Sequence, residues 1–283
     1  MMISRRNLLK LGAGSAALCA TSPAALFAAA GKRARGRIPI GLQLYSVRQA
    51  CQENLPPVLE AVAKMGYAGV EFAGYYGRTA EELRQLLDQN ELKCCGTHIR
   101  LDTLTGDALK ETVAFNQTLG NKFLIVSSMP KKLLETVQTI KETAKIYDEI
   151  AAKVKEEGMH VGYHAHGGDF ALVDGRPAWD IFFESTCPDV TMQLDIGNCI
   201  GGGGDPIATL KRFPGRSLTV HLKEHGGPPE AVVGEGEVDW KQVFEICEAS
   251  GGTEWYIVEH ERGAGDPIKN VARCLKNLRK MGK

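Results

Sequence analysis

The sequence has no net charge, because 34 basic residues are balanced by 34 acidic ones. Phosphate backbones and anionic membranes call for a basic face, so no nucleic-acid partner is expected. There is no Cys-x-x-Cys pair. The cysteines beyond Cys19 fall at 51, 94, 95, 187, 199, 247 and 274, an odd number without paired spacing. That argues against a disulfide framework and against a thiolate zinc site, and leaves them as small core residues. No Gly-x-Gly-x-x-Gly comes after an early strand, which argues against a doubly wound dinucleotide-binding sheet. Past the N-terminus no apolar run reaches the roughly 18 residues of a membrane helix, and no linker or low-complexity tract divides the chain.

The features that are present begin with a targeting pattern. Ser4-Arg5-Arg6-Asn7-Leu8-Leu9-Lys10 precedes an Ala/Gly/Leu-rich stretch and Ala28-Ala29-Ala30, a small-residue cleavage site. This reads as a twin-arginine signal peptide over residues 1–30, which implies a periplasmic or otherwise exported protein with no membrane span once the signal is removed. Twin-arginine export carries folded proteins, so a metal can be loaded before export.

The remaining 31–283 alternates between short apolar runs and helical periodicity. Strands are expected over 37–45, 68–72, 92–99, 123–126, 159–166, 190–195, 218–223 and 255–259. Helices are expected over 55–65, 79–89, 107–119, 133–157, 179–185, 206–212, 238–250 and 266–278, the second opened by the capping box Thr79-Ala80-Glu81-Glu82. Strict alternation implies parallel strands, and eight pairs in this length predict a single-domain α/β fold, the (β/α)8 TIM barrel.

Such barrels hold their chemistry at the C-terminal strand ends. Those ends carry Glu71, His98, His164 and His166, Asp195, His221, and Glu259 with Glu261. Imidazoles and carboxylates without thiolates suit Mn²⁺, Co²⁺, Fe²⁺ or Zn²⁺. Asp195, His221 and Glu259 come from consecutive strands and are expected side by side. His164 and His166 share one strand face, so either can complete the set.

Taken together, Gly41-Leu42-Gln43-Leu44-Tyr45-Ser46-Val47-Arg48, Tyr163-His164-Ala165-His166, Gln193-Leu194-Asp195-Ile196-Gly197-Asn198, Val220-His221-Leu222-Lys223-Glu224 and Ile257-Val258-Glu259-His260-Glu261 resemble the sugar phosphate isomerase/epimerase superfamily, the xylose isomerase-like barrels. The resemblance implies a divalent metal, most often manganese, held in the ketose epimerases by Glu, Asp, His and Glu. Asp195, His221 and Glu259 match the last three, and the first is replaced by the Tyr163–His166 stretch. This is similar to a Tyr-His-Asn-His branch, with Ala165 in place of Asn; His164 is taken as the fourth ligand, with His166 left as the open alternative.

The expected activity is a metal-dependent isomerase or epimerase acting through an enediolate on a non-phosphorylated sugar or keto-sugar. A lyase or dehydratase of the inosose dehydratase or 3-keto-glycoside-cleaving kind is the alternative, and a non-catalytic sugar-binding barrel or a nuclease like endonuclease IV are further ones. Glu259 is the expected base, with His166 or Lys223 acting on the other face of the substrate or, for Lys223, stabilising the enediolate. Glu71, His98 and Asp169 are expected to contact substrate. Gly226–Gly236 is read either as a lid or as a solvent loop. Gly201–Gly204 resembles a phosphate cradle, but it contains no basic residue, and Asp205-Pro206 reads better as a helix start.

Overall fold

In this computed structural model the described residues are 37–263 and 265–283, so the signal expected over 1–30 lies outside them. The eight apolar runs form β1 (Ile40–Gln43), β2 (Gly69–Ala73), β3 (Lys93–Ile99), β4 (Phe123–Val126), β5 (His160–His164), β6 (Thr191–Asp195), β7 (Thr219–Leu222) and β8 (Trp255–Val258). All pair in parallel with their neighbours, and the sheet closes where Leu42 of β1 lies between Val70 of β2 and Val258 of β8. This is the expected (β/α)8 barrel.

The helices around it are α1 (Arg48–Met65), α2 (Ala80–Gln89), α3 (Ala108–Leu119), α4 (Val137–Glu156), α5 (Ala178–Ser185), α6 (Ile196–Gly201), α7 (Pro206–Arg212), α8 (Trp240–Ile246) and α9 (Pro267–Lys280). The capping box read from Thr79 and Glu82 is present, with the Glu82 N–H donating to Thr79 Oγ1 at 3.2 Å and the Thr79 N–H to Glu82 Oε2 at 2.9 Å. α1 begins earlier than expected, at Arg48. It is interrupted at Asn54, whose φ of −160° is extended, just before Pro56 and Pro57 open the stretch expected to be helical. α4 begins later, at Val137, because the Thr136 side chain caps it by accepting the Thr139 N–H.

Strand alternation decides which side chains reach the interior. On β5, Tyr163 points outward into a cluster with Tyr147, Trp179 and Phe182, all at most 2% exposed. Burial of each such ring contributes on the order of 1.5–3 kcal/mol. His164, next along, therefore points inward. Arg216, just before β7, sends its guanidinium to the Val190 and Phe183 carbonyls and to Thr186 Oγ1, tying the entry to β6 against the end of α5. The seven cysteines beyond Cys19 are free, and six of them are buried, as expected of core residues. Among the described residues no helix is long and apolar enough to cross a membrane.

Candidate metal centre

β6 ends on Asp195, and the chain continues into a short helix. Asp195 Oδ1 caps that helix, α6, by accepting the Asn198 N–H at 2.7 Å. Asn198 Nδ2 in turn donates to the Ala165 carbonyl at 3.0 Å, joining the ends of β5 and β6. Gly197 is required by packing, since a Cβ there would stand 2.8 Å from the Lys223 carbonyl oxygen and 2.9 Å from that of Glu224. The other Asp195 oxygen, Oδ2, is buried and has no hydrogen-bond partner. A buried carboxylate oxygen without a donor is costly, and a cation removes the cost.

His164, Asp195, His221 and Glu259 each present one ligand atom, and these four atoms lie within 4.8 Å of one another. All four residues are buried, Glu259 being the most accessible at 5% exposure. His221 Nδ1 lies 2.8 Å from Glu259 Oε2 and 3.9 Å from Asp195 Oδ2. Two imidazoles and two carboxylates, with an orphan oxygen among them, fit a divalent ion of the Mn²⁺, Fe²⁺, Co²⁺ or Zn²⁺ kind. His166 is not in this group. Its ring packs edge-on to that of His164 at 4.8 Å, but β5 stops at His164 and His166 opens to solvent at the mouth.

The electrostatics match a site prepared for a cation. Burial raises the Asp195 carboxyl, and the neighbouring Glu259 charge raises it further. Burial also acts to raise Glu259, but its hydrogen bond to His221 outweighs this and holds it well below the usual carboxylate range. His164 is pushed well down by burial and by the nearby His221 and His98, so it is neutral and able to ligate. Burial lowers His221, yet Glu71 and Glu259 reverse this and lift it to about 10.

Two residues expected to contact substrate are engaged by side chains of the cluster and its neighbours. Glu71 is fully buried, and its Oε2 is 2.6 Å from His221 Nε2 and accepts from Gln43 Nε2 at 2.7 Å. Burial opposes its ionisation, but His98 and His221 hold it well below the carboxylate range. His98, its side chain only 10% exposed, places Nε2 at 2.8 Å from Gln193 Oε1 and 3.2 Å from Glu71 Oε2. Gln43 and Gln193 lie in the sequence motifs, where no role is expected of either. The available signal is that Gln193 shares the inward face with Asp195 two residues on.

Asp169, also expected to contact substrate, is held by its own neighbours. Its two oxygens accept the Tyr163 hydroxyl at 2.8 Å and the His166 N–H at 2.7 Å, while burial pushes its carboxyl up to about 6. Lys223 does reach the site, donating to Glu259 Oε1 at 3.0 Å and pairing with Glu261. It does not pair with Glu224, whose carboxylate accepts the Trp240 indole N–H at 2.9 Å and the Gly234 N–H at 2.6 Å. Those bonds, with Ala231, Val232 and Val233 buried, fasten the Gly226–Gly236 segment onto the barrel. Gly201–Gly204 leads into α7, capped by Asp205, as the Asp-Pro reading expected. A Cβ at Gly202 would collide with the Gly167 carbonyl oxygen at 2.2 Å, so close backbone packing accounts for a glycine there. An open cleft of about 520 Å³ lies at the mouth, lined in part by Asn198, Lys223, His225 and Arg262.

The family model of the xylose isomerase-like TIM barrel matches residues 59–281. The chain belongs to this family. An inosose dehydratase of Lacticaseibacillus casei is 25% identical to this xylose isomerase-like barrel over 251 residues, covering 75% of this chain and 82% of its own. A solved sugar phosphate isomerase/epimerase from Parabacteroides distasonis superposes with a TM-score of 0.75 at 26% identity, over 85% of this chain and 97% of that one. The IolI protein, solved with a bound zinc atom, shares the fold with a TM-score of 0.63 at 15% identity, over 86% of this chain and 95% of its own.

Proposed function

We propose that the protein is a divalent-metal-dependent isomerase or epimerase of a non-phosphorylated sugar or keto-sugar. The observation that carries this reading is Asp195 Oδ2, a buried carboxylate oxygen without a donor beside two imidazoles and a second carboxylate. His164, Asp195, His221 and Glu259 would hold the ion, manganese or one of Co²⁺, Fe²⁺ and Zn²⁺. When bound, such an ion acts as a Lewis acid that makes the C–H next to a substrate carbonyl more acidic.

The chain's own groups then divide the proton work. Glu259 is ionised and takes the α proton. Lys223 is held as an ammonium by Glu259 and Glu261 against the effect of burial, so it balances negative charge on the enediolate rather than accepting a proton. His166, depressed by burial and by the Lys223 charge, is neutral and stands at the mouth, where it can accept or return a proton. Dehydration is a second reading, supported by the inosose dehydratase relative and by histidine standing where the epimerases carry glutamate. There, neutral His166 would take the α proton and then return it to the leaving β-hydroxyl, which departs as water. Export through the expected twin-arginine segment accords with an unphosphorylated substrate.

The test is to incubate the metal-loaded protein with keto-sugars and inososes in heavy water and monitor them by NMR. Deuterium at the α carbon with the formula retained supports isomerisation or epimerisation, and loss of water supports the dehydratase reading. Absence of both exchange and elimination across the panel would sink the proposal.

A further inference from the structure

Beside the proposed metal centre, Glu71 and Gln193 form a hydrogen-bonded relay with only one consistent arrangement of protons. A carboxylate accepts and never donates, and four side-chain nitrogens converge on that of Glu71, from Gln43 at 2.7 Å, Gln193 at 2.8 Å, His221 at 2.6 Å and His98 at 3.2 Å. Gln193 places one end of its amide 2.8 Å from Glu71 Oε1 and 2.9 Å from Thr219 Oγ1. The end facing Glu71 must be the NH₂ group. Its oxygen therefore faces the other way, 2.8 Å from His98 Nε2 and 3.1 Å from His164 Nδ1. An amide oxygen only accepts, so both imidazoles must donate to it.

We infer that Gln193, oriented by Glu71, is a positioning residue that fixes His164 in its Nδ1–H form and leaves Nε2 as the nitrogen offered to a metal. The inference rests on the proposed metal centre and adds to it which nitrogen is used and what selects it. Glu71 acts on His221 in the same manner without an intermediary. It accepts from Nε2 at 2.6 Å, which leaves Nδ1 facing Asp195 and Glu259. One buried carboxylate on β2 thus sets the ligating nitrogen of histidines on β5 and β7. Partners of this kind orient metal-bound imidazoles and strengthen their binding.

Ring-nitrogen NMR of the metal-free protein with isotope-labelled histidine tests this without any substitution in the relay, the His164 signal being assigned by its loss in His164→Ala. The expected result is a proton on Nδ1 of His164; a proton on Nε2 instead overturns the inference. A second measurement uses Co²⁺ affinity by titration calorimetry in a double-mutant cycle. Gln193→Met, close in volume to the native residue, should weaken Co²⁺ binding about 10- to 100-fold. It should weaken it little further when His164 is already alanine. An equal loss in both backgrounds would mark Gln193 as merely structural and refute its action through His164. If wild-type protein binds no Co²⁺ while His164 carries its proton on Nδ1, the metal reading fails and the positioning stands. If Co²⁺ binds and the proton lies on Nε2, the positioning fails and the metal reading stands.

Discussion

Glu71 Oε2 and His221 Nε2 stand 2.6 Å apart at the centre of the barrel, both fully buried and 150 residues apart in the chain. Neither is isolated, since Glu71 also accepts from Gln43 and Gln193, and His221 faces Glu259 through its other nitrogen. Removing one member of a buried pair strands the other charge. Glu71→Ala is expected to cost about 3–5 kcal/mol in urea unfolding of the metal-free protein. A loss below about 1 kcal/mol would show that the pair is not closed in solution.

The same pair sets a pH dependence. His221 has a folded pKa of about 10, raised above an unfolded value of about 6.5. Its stabilisation is fully present below the unfolded value and is lost as pH rises through the folded one. Unfolding free energy of the metal-free protein should therefore fall between about pH 6.5 and 10, and Glu71→Gln should flatten that fall. A rise over this window would contradict the protonated His221.

Asp195 has two separable tasks, because Oδ1 caps α6 while Oδ2 is left for a cation. Asp195→Asn retains an oxygen for the cap and should lose bound metal and turnover while keeping near-native stability. Asp195→Ala should lose both, with an added cost of about 0.5–2 kcal/mol for the cap. Metal content by elemental analysis beside thermal unfolding separates the two; full metal occupancy in either variant would refute the site.

The two strand-five histidines should behave differently. His164→Ala is expected to weaken metal binding strongly without abolishing it, whereas His166→Ala should retain it and lower kcat by about 10²- to 10⁴-fold, as loss of a general acid or base does. Equal metal loss in both variants would place His166 among the ligands.

Lys223→Met should leave metal content intact and reduce kcat by about 10²- to 10³-fold, the scale of removing one group that stabilises developing negative charge. An unchanged kcat would reduce Lys223 to an ion pair with Glu261.

The barrel itself was legible because its signals are local. Alternation of apolar runs with helical periodicity marked every barrel strand, and the Thr79 box and Pro206 start marked helix ends. Asp195, His221 and Glu259 were legible because each lies at the end of an inward-facing strand register. The start of α4 and the short helix after Asp195 were not, since their caps depend on which side-chain oxygen meets which backbone N–H.

The sequence by itself determined the strand count, the parallel closure and a set of imidazoles and carboxylates along one rim, all of them consequences of periodicity and of strand ends. Only the tertiary structure brought His164, and not His166, into the four-residue cluster. It also set Glu71, His98 and Gln193 in hydrogen-bonding contact with one another and with the cluster histidines. Those outcomes depend on how far a strand runs before it bends and on donors and acceptors meeting across the barrel, over separations of 28 to 150 residues, which no local pattern encodes.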